Sequence, residues 1–337
     1  MKVLVHSMWG LGDNIYQRPF VVAASRQYDL WLETPWPELY ADLDIHFVRG
    51  KKLLRTQQKN MARSQAWSTA PKGIREVTMR YSNLAASTII ASLERCWRVL
   101  GVKFDPQLFG LPEMALCPIR SERPIAVIRP VTVRREWRNE ARNPYPEYVA
   151  AIARELMATH TVIAVADLEP DKEWLVGELP PAHHYLVEGE LKPRELLALV
   201  RDADIVVGGV GWIVPAGLAL GHRDSGSDVN TFVVLGGHGG HNAPEKITDP
   251  RLDLGRIGFA MPERFCRCTN MLHRCDKTIA DPVGQFQNWF KSSRLVASPG
   301  GQNSASVAIR SRPASPPMTK TISTTSPATP TPILDER

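Results

Sequence analysis

The stretch that decides the fold is Met1-Lys-Val-Leu-Val-His-Ser-Met-Trp-Gly-Leu-Gly-Asp-Asn-Ile-Tyr-Gln-Arg-Pro-Phe20. Its apolar run at residues 3–5 reads as a buried strand. Gly10-Leu-Gly-Asp13 reads as a turn, and residues 15–26 follow a helical pattern. A strand that feeds a helix through a glycine turn opens a parallel α/β sheet. Such sheets bind ligands outside the carboxyl ends of their strands, which is where Asp13 falls. Gly10 and Gly12 let the backbone come close to a bound molecule, and Gly12 is expected on the donor side of the site. On local pattern Asp13 keeps two readings. It caps the helix that follows, or its carboxylate works as a general base.

The alternation continues outward from that stretch. Further strands are expected at residues 30–33, 45–48 and 76–80, with a helix at 84–100. A linker is expected at 118–123. A second series follows, with strands at 125–129, 161–165, 205–207 and 231–235 and helices at 146–157, 193–201, 214–220 and 282–291. The expectation is α/β: two Rossmann-like parallel-sheet domains, residues 1–117 and 124–292, facing a cleft. Phe286, Trp289 and Phe290 form a stripe read as packing. From 293 to 337 the composition turns to Ser, Thr and Pro, which predicts a disordered tail.

Composition narrows the class. The chain has 337 residues, enough for two domains, and is 43% hydrophobic. No run approaches the roughly 20 apolar residues of a membrane span. The N-terminus enters a strand directly without a secretory pattern, so the expected location is cytoplasmic. The five cysteines are too few and too uneven for a disulfide framework. A net charge of +6 favours an anionic partner.

Three more segments carry chemistry. After the strand ending at Arg129 comes a loop with Arg134, Arg135, Arg138 and Arg142, and then Pro144 and Pro146 open a helix. Guanidinium groups beside a helix start suit a diphosphate, although a solvated basic loop has the same composition. Gly208, Gly209 and Gly211 follow a buried strand and offer backbone N–H groups to an anion. Asp202 and Asp204 fall at a helix end and are not read as a metal pair. Cys266, Cys268, His273 and Cys275 have three readings: a structural zinc site, a thiol cluster or a redox pair.

Together these segments resemble the ADP-heptose:lipopolysaccharide heptosyltransferase family, glycosyltransferase family 9, of GT-B fold. Leu11-Gly-Asp-Asn-Ile with Pro19 resembles its N-terminal motif. Residues 129–147 resemble its strand, polar loop and helix start. Residues 189–204 resemble its leading helix and Ala-Asp strand, and Cys266-Arg-Cys with Cys275 its cysteine segment. One departure is plain: the family's Asp-Thr-Gly-x-x-His signature reads here as Gly209-Val-Gly-Trp-Ile-Val-Pro215.

The resemblance implies inverting, metal-independent transfer of a sugar from a nucleotide-sugar donor, with no cofactor required. It makes Asp13 the general base and Arg142 the group that steadies the leaving diphosphate. Arg129, Thr132, Arg135, Gly209 and Gly211 complete the expected donor set. His238, His241 and Asn242 read as ordinary loop residues near the cleft.

The acceptor is expected in the first domain. Residues 51–80 hold eight basic residues and one acid. Lys51, Lys52, Arg55 and Arg63 are the expected contacts for an anionic glycan or lipopolysaccharide-like acceptor, with peripheral membrane contact. A solvated basic face would look the same. The alternatives are a transferase that modifies nucleic acid, whose phosphates the same residues would neutralise, and a non-catalytic nucleotide- or nucleic-acid-binding module.

Overall fold

The computed structural model describes residues 1–50, 54–63, 67–221 and 227–296. The expected tail beyond residue 296 lies outside the described residues. Lys51 and Lys52 do too. Residues 293–296 continue the last helix, so that helix runs past the point where the tail was expected to begin.

The first sheet is built from β1 (Lys2–His6), β2 (Asp29–Glu33), β3 (His46–Val48) and β4 (Arg75–Thr78). Between and after them run α1 (Leu11–Ser25), α2 (Arg55–Arg63) and α3 (Ile89–Trp97). All pairings are parallel, in the order β3-β2-β1-β4. Val3, Leu4 and Val5 are all buried, because helices and loops cover both faces of a parallel sheet. The helix expected at 84–100 is broken in two. Thr88 Oγ1 accepts from Ala91 N–H at 3.0 Å and starts α3 afresh after a 3-10 turn at Leu84–Ala86.

The second half supplies β5 (Ile125–Arg129), β6 (Thr132–Arg134), β7 (Thr161–Val165), β8 (Glu173–Leu175), β9 (His184–Leu186), β10 (Ile205–Gly208), β11 (Asn230–Val234) and β12 (Ile257–Ala260). Its helices are α4 (Pro146–Met157), α5 (Pro193–Arg201), α6 (Ile213–Leu220), α7 (Gly239–Asn242), α8 (Pro244–Ile247) and α9 (Pro282–Val296). Six strands form one parallel sheet in the order β12-β11-β10-β5-β7-β9, and β6 pairs antiparallel with β8 outside it. Along β5, Val127 joins the core shared with the first sheet, while Ile128 packs with Val149 and Phe286 on the other face. The aromatic stripe of α9 is packing as expected: Phe232 lies 5.3 Å from Phe286 and 5.2 Å from Trp289, ring centre to ring centre.

Strand order fixes where a ligand can sit. In each sheet the chain starts in the middle, builds outward on one side, then crosses to the other. The crevice at that switch point is where open α/β sheets bind ligands. In the first sheet it lies between the ends of β1 and β4. In the second it lies between the ends of β5 and β10.

The two halves are joined by direct packing. Gly12, at the start of α1, lies under the start of α6: a Cβ there would be 3.1 Å from Trp212 Cα and 3.3 Å from Pro215 Cγ. Gly12 therefore serves the close approach of the two helices, whatever its part in the donor contact expected of it. Gly12→Ala is expected to destabilise the fold by about 1–3 kcal/mol through overpacking, read as a lower urea midpoint. Tyr16 Oη donates to Ile247 O at 2.5 Å, Thr88 Oγ1 to Asp249 at 3.1 Å, and Arg251 to Glu94 at 3.2 Å. Among the described residues, no helix is long and apolar enough to cross a membrane.

Candidate active site

Asp13 follows β1 at the first switch point. The helix starts earlier than expected, with Gly10 as its N-cap, so Asp13 stands in the first turn rather than at the cap position; its Oδ2 accepts from Gly10 N–H at 3.1 Å and secures the helix start from inside. Its Oδ1 accepts from Tyr81 Oη at 2.5 Å, so the same carboxylate is also tied to the segment after β4. Burial pushes the carboxyl above its usual value. The Tyr81 and Gly10 hydrogen bonds and the charge of Arg142 pull it back down. Arg142 belongs to the second half, so its charge reaches Asp13 across the cleft.

The turn that carries Asp13 is held by its neighbour. Asn14 Nδ2 donates to Met8 O at 2.7 Å and to Gly10 O at 2.9 Å. Its Oδ1 accepts from Thr34 Oγ1 at 2.9 Å and Tyr40 Oη at 3.1 Å. Asn14 is fully buried, and a buried amide with all its partners fixes one local geometry.

At the second switch point β5 ends in Arg129, β6 ends in Arg134, and the loop after β6 brings Arg142. Among the described residues, the guanidinium groups of Arg129 and Arg142 make no hydrogen bond or ion pair. The Nε of Arg142 is buried without a partner. Burial pushes Arg129 down to about 10, with the like charges of Arg134 and Arg142 adding to it and Glu173 opposing. Burial, then Arg134, also lowers Arg142, against the pull of Asp13. Half-buried cations with no hydrogen-bonded counter-ion are costly unless a ligand supplies the anion. Gly211 lies at the same place: a Cβ on it would be 3.4 Å from Arg129 Nη1. Gly209 packs beside Pro144.

Other expected residues are placed elsewhere. Thr132 Oγ1 donates to Glu173 at 2.9 Å, and Arg135 is exposed. Arg55 does not offer an open cation to an acceptor. Its guanidinium binds Asp167 at 3.2 Å, Glu169 at 2.8 Å and Glu173 at 3.2 Å, and Lys59 reaches Asp167 at 2.9 Å. The reason is that residues 55–63 form a helix packed against the acidic turn after β7. Arg63 is exposed, with one long contact of 3.5 Å to Gly189 O. At the end of β1, His6 lies between Glu33, at 2.5 Å, and Glu76, at 3.2 Å.

His238 is structural. Its Nδ1 accepts from Asn242 at 2.6 Å and Asn139 at 3.2 Å, and its Nε2 donates to Thr269 O at 2.9 Å. Burial lowers its pKa and favours the neutral ring that these partners require. Gly236 marks a close approach, since a Cβ there would be 2.1 Å from Asn143 O and 2.8 Å from Arg142 O. The loop holding Arg142 thus rests on the end of β11.

The cysteine segment braces both loops. Met271 O accepts from Ala141 N–H at 2.9 Å, Cys266 O from Gly239 N–H at 2.8 Å, and Cys268 O from Gly240 N–H at 3.1 Å. The ligand atoms of Cys266, Cys268, His273 and Cys275 all lie within 4.8 Å of one another. Cys268 Sγ is 3.6 Å from Cys275 Sγ, and His273 Nδ1 is 3.4 Å from Cys275 Sγ and 3.6 Å from Cys266 Sγ.

Sequence reasoning missed Tyr81, Asn14 and Glu173. Tyr81 carries no local motif; only the pairing of β4 beside β1 brings it to Asp13.

Two Rossmann-like sheets, with a carboxylate at one switch point and unpaired guanidinium groups at the other, define a two-domain α/β protein of GT-B architecture. Solved structures share that architecture. The bacterial iron-containing dodecameric glycosyltransferase TibC from enterotoxigenic E. coli matches with a TM-score of 0.56 at 13% identity, over 89% of this chain and 80% of that one. The dodecameric iron-containing heptosyltransferase TibC in complex with ADP-D-beta-D-heptose gives 0.51 at 13%, over 88% and 77%. E. coli ADP-heptose lipopolysaccharide heptosyltransferase II gives 0.49 at 11%, over 87% and 100%. No family model and no curated protein sequence matches the chain. At these identities the likeness to the two TibC structures establishes the fold, and at that level the heptosyltransferase resemblance holds.

Proposed function

We propose that this chain is an inverting glycosyltransferase that moves a sugar from a nucleoside-diphosphate donor to an acceptor hydroxyl. The observation that carries the reading is the pair of unpartnered guanidinium groups, Arg129 and Arg142, with the charge of Arg142 reaching the half-buried carboxylate of Asp13. Asp13 takes the hydroxyl proton. The oxygen bonds to the anomeric carbon from the face opposite the leaving group, the bond from that carbon to the phosphate oxygen breaks, and the nucleoside diphosphate leaves with its charge held by the arginines. The guanidinium groups already supply the positive charge a leaving diphosphate needs, which supports metal-independent transfer.

The acceptor is a glycan or glycolipid hydroxyl. An anionic acceptor, and nucleic acid in particular, loses support because Arg55 and Lys59 are neutralised by Asp167, Glu169 and Glu173. Glu33 at the end of β2 and Glu76 within β4, both against His6 at the end of β1, add negative charge to that edge. A cytoplasmic setting suits both a nucleotide-sugar supply and reduced thiols. The experiment is a thermal-shift screen of nucleoside diphosphates and their sugars. A true ligand at about 100 times its Kd stabilises by about 2.7 kcal/mol. A chain that no diphosphate stabilises is not a transferase of this kind.

Cys266, Cys268, His273 and Cys275 hold a structural zinc ion in this reading. Tetrahedral Zn–S bonds of about 2.3 Å and Zn–N bonds of about 2.0–2.1 Å bring ligand atoms to roughly 3.5–3.8 Å of one another. Three of the six separations, 3.4 to 3.6 Å, match those values, and all six stay within 4.8 Å. The ion would fix the segment that braces the loops around Arg142 and His238. Elemental analysis should find one metal per chain, with iron, which the TibC structures contain, measured alongside zinc. Chelation is expected to lower Tm and weaken diphosphate binding together.

A further inference from the structure

Asp13 and Tyr81 leave neighbouring strands at one edge of the first sheet. β1 and β4 run parallel with His6 opposite Thr78, and Met79 N–H donates to His6 O at 2.9 Å. Tyr81 follows two residues later. Its segment is anchored on both sides. Cys96 Sγ donates to Arg80 O at 3.0 Å, Ser82 N–H donates to Ser92 Oγ at 2.7 Å, and Ser92 Oγ returns a bond to Ser82 O at 2.8 Å. Arg95 also donates to Ser82 O, at 2.5 Å. The phenol therefore reaches Asp13 from a fixed base.

We propose, on the transferase reading above, that Tyr81 is a positioning residue for Asp13. Its hydroxyl fixes Oδ1 while the Gly10 N–H fixes Oδ2, so the carboxylate meets the acceptor hydroxyl in one orientation and in its ionised form. Each carboxylate oxygen keeps a further lone pair for the incoming proton. The groups facing this carboxyl are Tyr81 from the segment after β4, Tyr16 and the Gly10 N–H from α1 and its cap, and Arg142 from the second domain. Tyr16 has its hydroxyl committed to Ile247 O. Tyr81 is thus the side chain that hydrogen-bonds the carboxylate among the described residues. Burial also keeps the Tyr81 phenol protonated, which makes it a lasting donor.

The test is Tyr81→Phe, which removes one oxygen. Its readouts are separate from folding, which Tm reports. In the pH profile of kcat/KM for sugar transfer, the acid limb is expected to move up by about one pH unit, because a lost hydrogen bond to a charged group favours the neutral acid. kcat falls about tenfold or more while the donor KM holds. A second readout needs no activity: the pH at which the stabilities of Asp13 and Asp13→Asn proteins diverge reports the Asp13 titration. That pH is expected to rise by a similar amount when Tyr81→Phe is added to both. If both the acid limb and the divergence pH stay in place, Tyr81 does not act on Asp13. If no donor is turned over but the divergence pH still moves, the pairing stands and the transferase reading fails.

Discussion

Asp13→Asn is expected to cut sugar transfer by about 10²–10⁴-fold while nucleoside diphosphate still binds. The substitution keeps shape and removes the base. A second consequence separates a base from a simple cap. Burial raises the carboxyl above its usual 3.8 in the folded chain. A group raised on folding contributes stability below its unfolded value and loses it as pH rises through its folded value. The variant has no such loss. Its Tm relative to the wild type should therefore climb from pH 4 towards neutrality and then level off. Loss of the bond to Gly10 N–H subtracts roughly 1 kcal/mol at every pH, so the slope, and not the offset, is diagnostic. A flat difference from acid to neutral pH, with transfer intact, would remove Asp13 from the chemistry.

How much of this was legible depends on which physics set each element. The strands at Ile125–Arg129 and Thr161–Val165 and the helices at Pro146–Met157 and Pro193–Arg201 were readable to the residue. The strands are apolar runs buried on both faces. The helices carry a proline in their first turn and an apolar stripe. α2 was not readable. Its sequence, Arg55 to Arg63, has one large apolar residue and looks like a charged loop. Tertiary bonds hold it: Gln57 donates to Trp9 O at 2.8 Å, Asn60 to Pro35 O at 2.7 Å, and Arg55 binds three carboxylates. Propensity gives way to such contacts. The short edge strands β9 and β12 lie outside the expected series for a related reason, since each has too few residues to show a period.

The site divides the same way. Arg129 ends the plain strand β5, and Asp13 and Arg142 lie in the segments that follow the expected strands at 3–5 and 125–129, so strand-end logic found them. Gly12 shows the limit of that logic. A glycine beside a strand end can serve a ligand or a helix crossing, and only the neighbour across the gap tells which. The residues that replace the missing signature, around Trp212 and Pro215, press on Gly12. Part of the space read as a donor contact is a domain contact. Arg55 was misjudged because its partners lie more than 110 positions along the chain, where no local charge count reaches them.

Replacing Arg142 or Arg129 by Met should make the ligand-free protein more stable and the liganded one weaker. Arg129, pushed down to about 10, is still charged at neutral pH, as is Arg142. Arg134 adds a third positive charge, which Glu173 at 2.7 Å offsets only in part because that carboxylate also binds Arg55. Without an anion the cluster repels itself, and Arg142 Nε lacks even a hydrogen bond. Removing one such cation relieves repulsion and desolvation together, and about 1–3 kcal/mol of added stability is expected. The same change deletes hydrogen bonds to a diphosphate, each worth about 1.5–3 kcal/mol when charged. Losing one or two of them weakens binding by roughly 10- to 10³-fold or more. Arg142→Lys should fall between, since it keeps the charge but not the planar pair of donors. Opposite movement of apo Tm and ligand affinity in one variant is the mark of a site strained in advance for its ligand. A Met variant that lowers apo stability and leaves nucleoside diphosphate affinity unchanged would show instead that these arginines hold the fold.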